Sequence, residues 1–124
     1  MPSLKYRWHH NRILQFIDRG RNGFSPYDCW NLDAYISGVL SKAITQYAKD
    51  ANGFPSNLES QEQWQAILAE MAEGFRVHAE EAWNLGYVDG EFSVEAYKQD
   101  YAKMERKLNK SLSLLKKHYQ SLWW

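Results

Sequence analysis

The chain has a single cysteine, three prolines and no long apolar run, and its formal charges cancel at pH 7. With Cys29 alone, no intramolecular disulfide can form. No Cys/His pair has zinc-type spacing either, so the sequence reads as that of a protein from a reducing compartment. No stretch approaches the roughly 18 apolar residues of a membrane span, and no basic-then-apolar leader opens the chain. Two alternating apolar runs joined by a hairpin signal are also missing, so a sheet is not expected. Internal repeats and low-complexity tracts are absent. At 124 residues, the expectation is one helical domain over residues 1–124 with one core.

The zero net charge conceals a segregation. Residues 1–23 hold Lys5, Arg7, Arg12, Arg19 and Arg21 against Asp18, a balance of +4. Residues 24–100 hold thirteen acids against Lys42, Lys49, Arg76 and Lys98, a balance of −9, and residues 101–124 come to +5. Two arrangements are compatible with this pattern. The basic ends could merge into one face that attracts phosphates or an acidic partner, or they could neutralise the acidic middle within the molecule.

Three helix starts are legible. Ser25-Pro26-Tyr27-Asp28 places a capping serine before a proline at the first helical position, with an aspartate near the positive helix end. This predicts a helix from Pro26, with Trp30, Tyr35, Val39, Ala43, Ile44 and Tyr47 on its apolar face and Asn52-Gly53 as its stop. Ser60-Gln61-Glu62-Gln63 is a capping box. Trp64, Ile67, Leu68, Met71, Phe75, His78 and Ala82 then recur at helical spacing as far as about Leu85, where Gly86 caps and Tyr87-Val88-Asp89-Gly90 turns. Ser93 caps the last helix, with Phe92 and Tyr97 placed as a hydrophobic staple. Its seam runs through Tyr97, Tyr101, Met104, Leu108, Leu112, Leu115, Tyr119 and Leu122. Before these, Leu4, Trp8, Ile13, Leu14, Phe16 and Ile17 fit a first helix that Gly20 and Gly23 interrupt. The expected class is therefore all-α, a bundle of about four helices with a long C-terminal helix. That helix outruns the one from Pro26, which predicts a homo-oligomer, most simply a dimer.

Catalytic and metal-binding chemistry finds little purchase. Glu70 and Glu73 share a helix face and could begin a magnesium site of the helical nucleotide-pyrophosphatase kind, but the last helix offers Glu95 and Asp100 on different faces, so a solvated acidic face is expected instead. His9 and His10 diverge by about 100°. His78 lies on an apolar stripe and reads as a satisfied core histidine, and Cys29 as a buried thiol. No catalytic residue, metal ligand or cofactor is assigned.

Aromatic residues are abundant, with six tryptophans and eight tyrosines. Trp8, Trp30, Trp64 and Trp83 are expected mainly in the core, whereas Trp123 and Trp124 cannot both face one core from consecutive positions. At least one of that pair is expected to meet another chain, a partner or solvent. The loop Arg19–Ser25 sets two arginines before a helix N-terminus, where backbone N–H groups and partial positive charge suit an anion. Against an anion there, Pro26 lacks a donor and Asp28 competes. In the structural alternative, Arg19 or Arg21 pairs within the molecule with Asp28 or Asp33, and a buried pair with Asp33 would rigidify the loop. Arg19, Arg21, Asn22, Trp30, Asp33, Trp123 and Trp124 are thus the residues expected to bind a ligand or partner.

The run Arg19-Gly20-Arg21-Asn22-Gly23-Phe24-Ser25, continued by Asp28, Trp30, Leu32-Asp33, Tyr35 and Val39, resembles a family of small uncharacterised bacteriophage and prophage proteins. The likeness extends through Gly53-Phe54-Pro55, Trp64, Ile67-Leu68, Met71 and Gly74-Phe75, about half the chain. It implies a phage origin, action in the host cytoplasm and a non-enzymatic counter-defence role, either binding a host defence protein or sequestering a nucleotide messenger. The alternatives are a nucleic-acid-binding accessory protein using the basic ends and a magnesium-dependent nucleotide hydrolase using Glu70 and Glu73.

Overall fold

A computed structural model describes residues 11–123. The expectations for Leu4, Trp8, His9, His10 and Trp124 lie outside the described residues. Among those described, the fold is all-α, with helices α1 (Arg12–Asn22), α2 (Leu32–Asp50), α3 (Gln61–Glu81) and α4 (Val94–His118). A two-stranded ribbon, β1 (Tyr87–Val88) and β2 (Glu91–Phe92), precedes α4. No helix among the described residues is long and apolar enough to cross a membrane. The chain divides into two compact units, one ending at Tyr35 and the other beginning at Ile36.

The second unit is built around α3. Its N-terminus is capped by Ser60 Oγ, which accepts from Gln63 N at 3.1 Å, and Gln63 Oε1 accepts from Glu59 N, one residue before the cap, at 2.8 Å. Trp64, Leu68, Met71, Ala72 and Phe75 recur at three and four residues and are buried with Ile44 of α2. Leu40, Tyr47 and Ala48 of α2, and Leu108, Leu114 and Leu115 of α4, pack around them. Full burial of each large apolar side chain is worth about 1.5–3 kcal/mol, so this helix is the principal source of the unit's stability. At Gly74 the approach of α4 is so close that an added Cβ would collide with Ser111 and with the backbone carbonyl of Lys107. Ser111 is fully buried there, its hydroxyl donating to the Glu70 carbonyl at 3.2 Å.

Two histidines sit in this interior. His78 Nδ1 and Ser37 Oγ share a hydrogen bond of 2.8 Å, in keeping with a satisfied core histidine. His118 lies edge-on to Trp64, with ring centroids 5.4 Å apart. Burial first, and the neighbouring Lys117 second, depress its pKa below the ordinary value of 6.5. Below that value the unfolded chain takes up a proton the folded chain resists, so this histidine's contribution to stability falls as pH drops from 6.5 toward the lower folded value. Urea midpoints are expected to be lower at pH 5 than at pH 7.5, with a smaller difference in His118→Met. An unchanged pH profile in that variant would assign the dependence to other groups.

The structure corrects several sequence-based boundaries and burials. Pro26–Asn31 forms a 3-10 turn rather than the first turns of an α-helix, and α3 stops at Glu81 before a 3-10 turn at Ala82–Asn84. The segment Tyr87–Phe92, expected only to turn, is a hairpin. Asp89 at φ 52° and Gly90 at φ 82° make the two-residue reversal that matches strand twist. Strands of two residues are too short to show alternation, and the Asp-Gly pair was their only signal. Ile13, Phe16 and Ile17 are exposed, as are Val39, Ala43 and Cys29. Of the tryptophans expected in the core, only Trp64 is buried among the described residues, with Trp30 at 51% and Trp83 at 70% exposure.

Candidate functional site

The connection from α1 to α2 is short and contains only one helix-breaking residue that the backbone requires. Gly23 adopts φ 84°, a left-handed conformation costly to any residue with a Cβ, and its N–H caps α1 by donating to the Arg19 carbonyl at 3.0 Å. The chain then reverses through the Pro26–Asn31 turn, where Asp28 N donates to the Ser25 carbonyl at 2.9 Å. Asp28 is the centre of the arrangement. Its carboxylate accepts from Ser25 N at 2.8 Å and from Arg19 Nε at 2.9 Å, with Arg19 Nη2 bonded to the second oxygen.

This two-pronged geometry suits guanidinium and carboxylate. The hydrogen bonds from Arg19 are the main reason the Asp28 carboxyl is held below the ordinary carboxylate range. Burial opposes this, and the Ser25 N–H reinforces it. The Arg19 guanidinium also lies over the Tyr35 ring, 5.8 Å from its centroid, and the Tyr35 hydroxyl donates to the Gly23 carbonyl at 2.5 Å. Arg19, Asp28, Ser25, Gly23 and Tyr35 therefore tie both ends of the loop to its middle. No large apolar side chain of this unit is buried among the described residues, whose buried members here are Gln15, Ser25 and Asp28. Among the described residues, these polar ties hold the loop.

These ties determine where the expected binding residues fall. Arg19 is consumed internally by Asp28, which is the structural alternative stated above for this arginine. Arg21 and Asn22 sit exposed in the last turn of α1, and Trp30 is half-exposed on the 3-10 turn. Asp33 lies exposed in the first turn of α2. Trp123 belongs to the second unit. It is 74% exposed, and its carbonyl accepts from Tyr47 Oη at 3.0 Å. Phe24 and Tyr27 are further exposed aromatics on the loop. Beside them a shallow cavity of about 250 Å³ is lined by Tyr27, Asp28, Trp30, Asn31, Ala34 and Tyr35. Their exposure was not legible in the sequence, because aromatic residues flanking a helix start read equally well as core.

An anion is poorly served here. The helix end after Ser25 is a six-residue 3-10 turn beginning with proline, and the Asp28 carboxylate already occupies the Ser25 amide. The acidic face of α3 is likewise committed. Glu73 forms two hydrogen bonds with Arg76, at 2.7 and 2.8 Å, and Glu80 forms a third at 3.2 Å. Asp100 accepts from Gly86 N at 3.0 Å. Glu70 and Glu73 also share a groove of about 310 Å³ with Arg106, Lys107 and Lys110, which supports the reading that basic and acidic segments neutralise each other. Among the described residues, no group of three or more His, Cys, Asp or Glu side chains is placed to hold a metal ion. No family model, no curated protein and no solved structure matches the chain.

Proposed function

We propose that this chain is a phage-encoded, non-enzymatic binding protein that acts in the host cytoplasm by engaging a host defence protein through the Arg19–Tyr35 loop. One observation carries the reading: the loop is fastened from within by Arg19 and Asp28 while Arg21, Phe24, Tyr27 and Trp30 stand exposed around it. Arginine and aromatic side chains dominate the energetics of protein interfaces, and holding them on a fixed loop reduces the ordering entropy lost on binding. A protein partner is favoured over a nucleotide messenger because Arg19 is spent on Asp28 and the following turn offers an anion few free donors.

The test is phage challenge of a host that carries an active defence. Expression of the chain should restore plaque formation. Arg21→Ala combined with Phe24→Ala should abolish the rescue while leaving the melting temperature nearly unchanged, since exposed side chains contribute little to folding. Equal rescue by the double variant would remove the loop from the interaction. A melting-temperature rise with any cyclic or linear nucleotide would replace the protein partner with a nucleotide ligand.

A further inference from the structure

The second unit carries an apolar surface that its own core does not use. The rings of Tyr87 and Phe92 meet at 5.6 Å, Phe92 and Tyr97 at 6.1 Å, and Tyr97 and Tyr101 stack at 6.1 Å. All four residues are exposed. Farther along α4 and beyond it, Leu112, Tyr119 and Trp123 are exposed as well, and Val94 stands exposed at the start of the helix. At 100° per residue, Val94, Tyr101, Leu112 and Tyr119 fall within about 20° of a single line along the helix, while Met104, Ser111 and His118 point about 60–120° away from it into the interior. The helix therefore carries an exposed apolar stripe along the edge of its core-facing side, interrupted near the middle by Glu105. The core occupies the inner side, and the stripe has no occupant among the unit's described residues.

The spacing of the stripe's four apolar members, with Glu105 between the inner two, is the same from either end. These members are separated by seven, eleven and seven residues, with the centre between Arg106 and Lys107. A surface meets a second copy of itself across a two-fold axis only if its pattern is self-complementary, and the symmetric spacing of the apolar members on a straight helix lets them meet in an antiparallel pairing. The charge distribution selects the same orientation. From Asp89 to Asp100 the acids Asp89, Glu91, Glu95 and Asp100 outnumber Lys98, whereas residues 103–118 hold six lysines and arginines against Glu105. An antiparallel pair sets each acidic end against a basic end, while a parallel pair would set the two basic halves side by side.

We infer that α4 is the interface of an antiparallel homodimer, with Tyr101 of one copy against Leu112 of the other and Val94 against Tyr119. The helix is about 37 Å long, and the hairpin aromatics and Trp123 widen the surface at its two ends. A pairing of this extent lies at the lower end of specific interfaces, about 1,200 Å², so a reversible monomer–dimer equilibrium is expected. This inference is independent of the defence-protein reading, which uses the other unit.

Cysteine cross-linking in a Cys29→Ser background separates the orientations. Tyr101→Cys mixed with Leu112→Cys should give a mixed disulfide under mild oxidation, whereas either variant alone should not, because its own thiols would lie roughly 16 Å apart along the axis. Sedimentation equilibrium from 1 to 100 micromolar should show the wild type passing from monomer to dimer. Leu112→Glu should remain monomeric at unchanged helix content, since its side chain is exposed in the monomer. A wild type that stays monomeric throughout would overturn the inference and leave the stripe to a different partner. Homodisulfides from Tyr101→Cys alone would overturn the antiparallel arrangement.

Discussion

Gly74→Val is expected to cost the second unit roughly 3 kcal/mol or more, enough to remove much of a small domain's stability. The reason is geometric. A Cβ at this position would collide with Ser111 Oγ and the Lys107 carbonyl and lie 2.9 Å from Ser111 Cβ. A carbonyl within a helix cannot rotate away as a side-chain tip can, so α4 must shift as a body and loosen its contacts with Trp64, Phe75 and Leu68. Gly74→Ala tests the same point more gently. In an open helix this change would add up to about 1 kcal/mol of stability, and here it is expected to reduce stability instead. Urea unfolding followed by circular dichroism measures both variants. A Gly74→Ala protein more stable than the wild type would show that the two helices do not cross this closely.

Arg19→Ala is expected to cost about 2–3 kcal/mol in the first unit. Breaking a buried ion pair typically costs about 3–5 kcal/mol because the remaining charge is stranded. Here the Asp28 side chain is only 5% exposed, but the Arg19 side chain is 40% exposed, and water screens part of the loss. The effect should be local. Amide exchange at Gly23 and Ser25 should quicken, since one amide caps α1 and the other donates to Asp28. The pH dependence has a definite sign. The pair stabilises the fold above the ordinary aspartate value of 3.8, and that contribution is lost as pH falls through the lower folded value. In Arg19→Ala this acid-sensitive step should shrink. Unchanged exchange at Gly23 and Ser25 would show that the loop is held by other means.

The second unit was largely legible in the sequence because its signals are local. Ser60 and Ser93 cap the helices that follow them, with the serine oxygens accepting from Gln63 N and Ala96 N. The recurrence of Trp64, Leu68, Met71 and Phe75 marked the buried stripe. Phe92 and Tyr97, read as a staple, are in ring contact. The first unit was less legible for the opposite reason. Its Ile13, Phe16 and Ile17 follow a helical period that ordinarily means burial, yet they are exposed, while the loop is held by side-chain pairs whose choice depends on three-dimensional placement. Four pairings of Arg19 or Arg21 with Asp28 or Asp33 were open from sequence. The 3-10 turn brings Asp28 back toward Arg19 and leaves Asp33 on the outside of α2. Exposed aromatics were the hardest to foresee, since Trp30 and Trp83 have the same composition signal as Trp64.

That distribution of tryptophans has an optical consequence. Among the described residues, Trp30, Trp83 and Trp123 are exposed and Trp64 alone is enclosed, so the emission of these four indoles is dominated by ones already in contact with water. Its wavelength will therefore move little on unfolding, and a small spectral change would be easily misread as residual structure. Of these four, the enclosed Trp64 lies edge-on to the His118 imidazole, which places it to sense protonation of the interior. Replacing Trp8, Trp30, Trp83, Trp123 and Trp124 with phenylalanine would leave Trp64 as the sole indole, a chromophore that reports on the core.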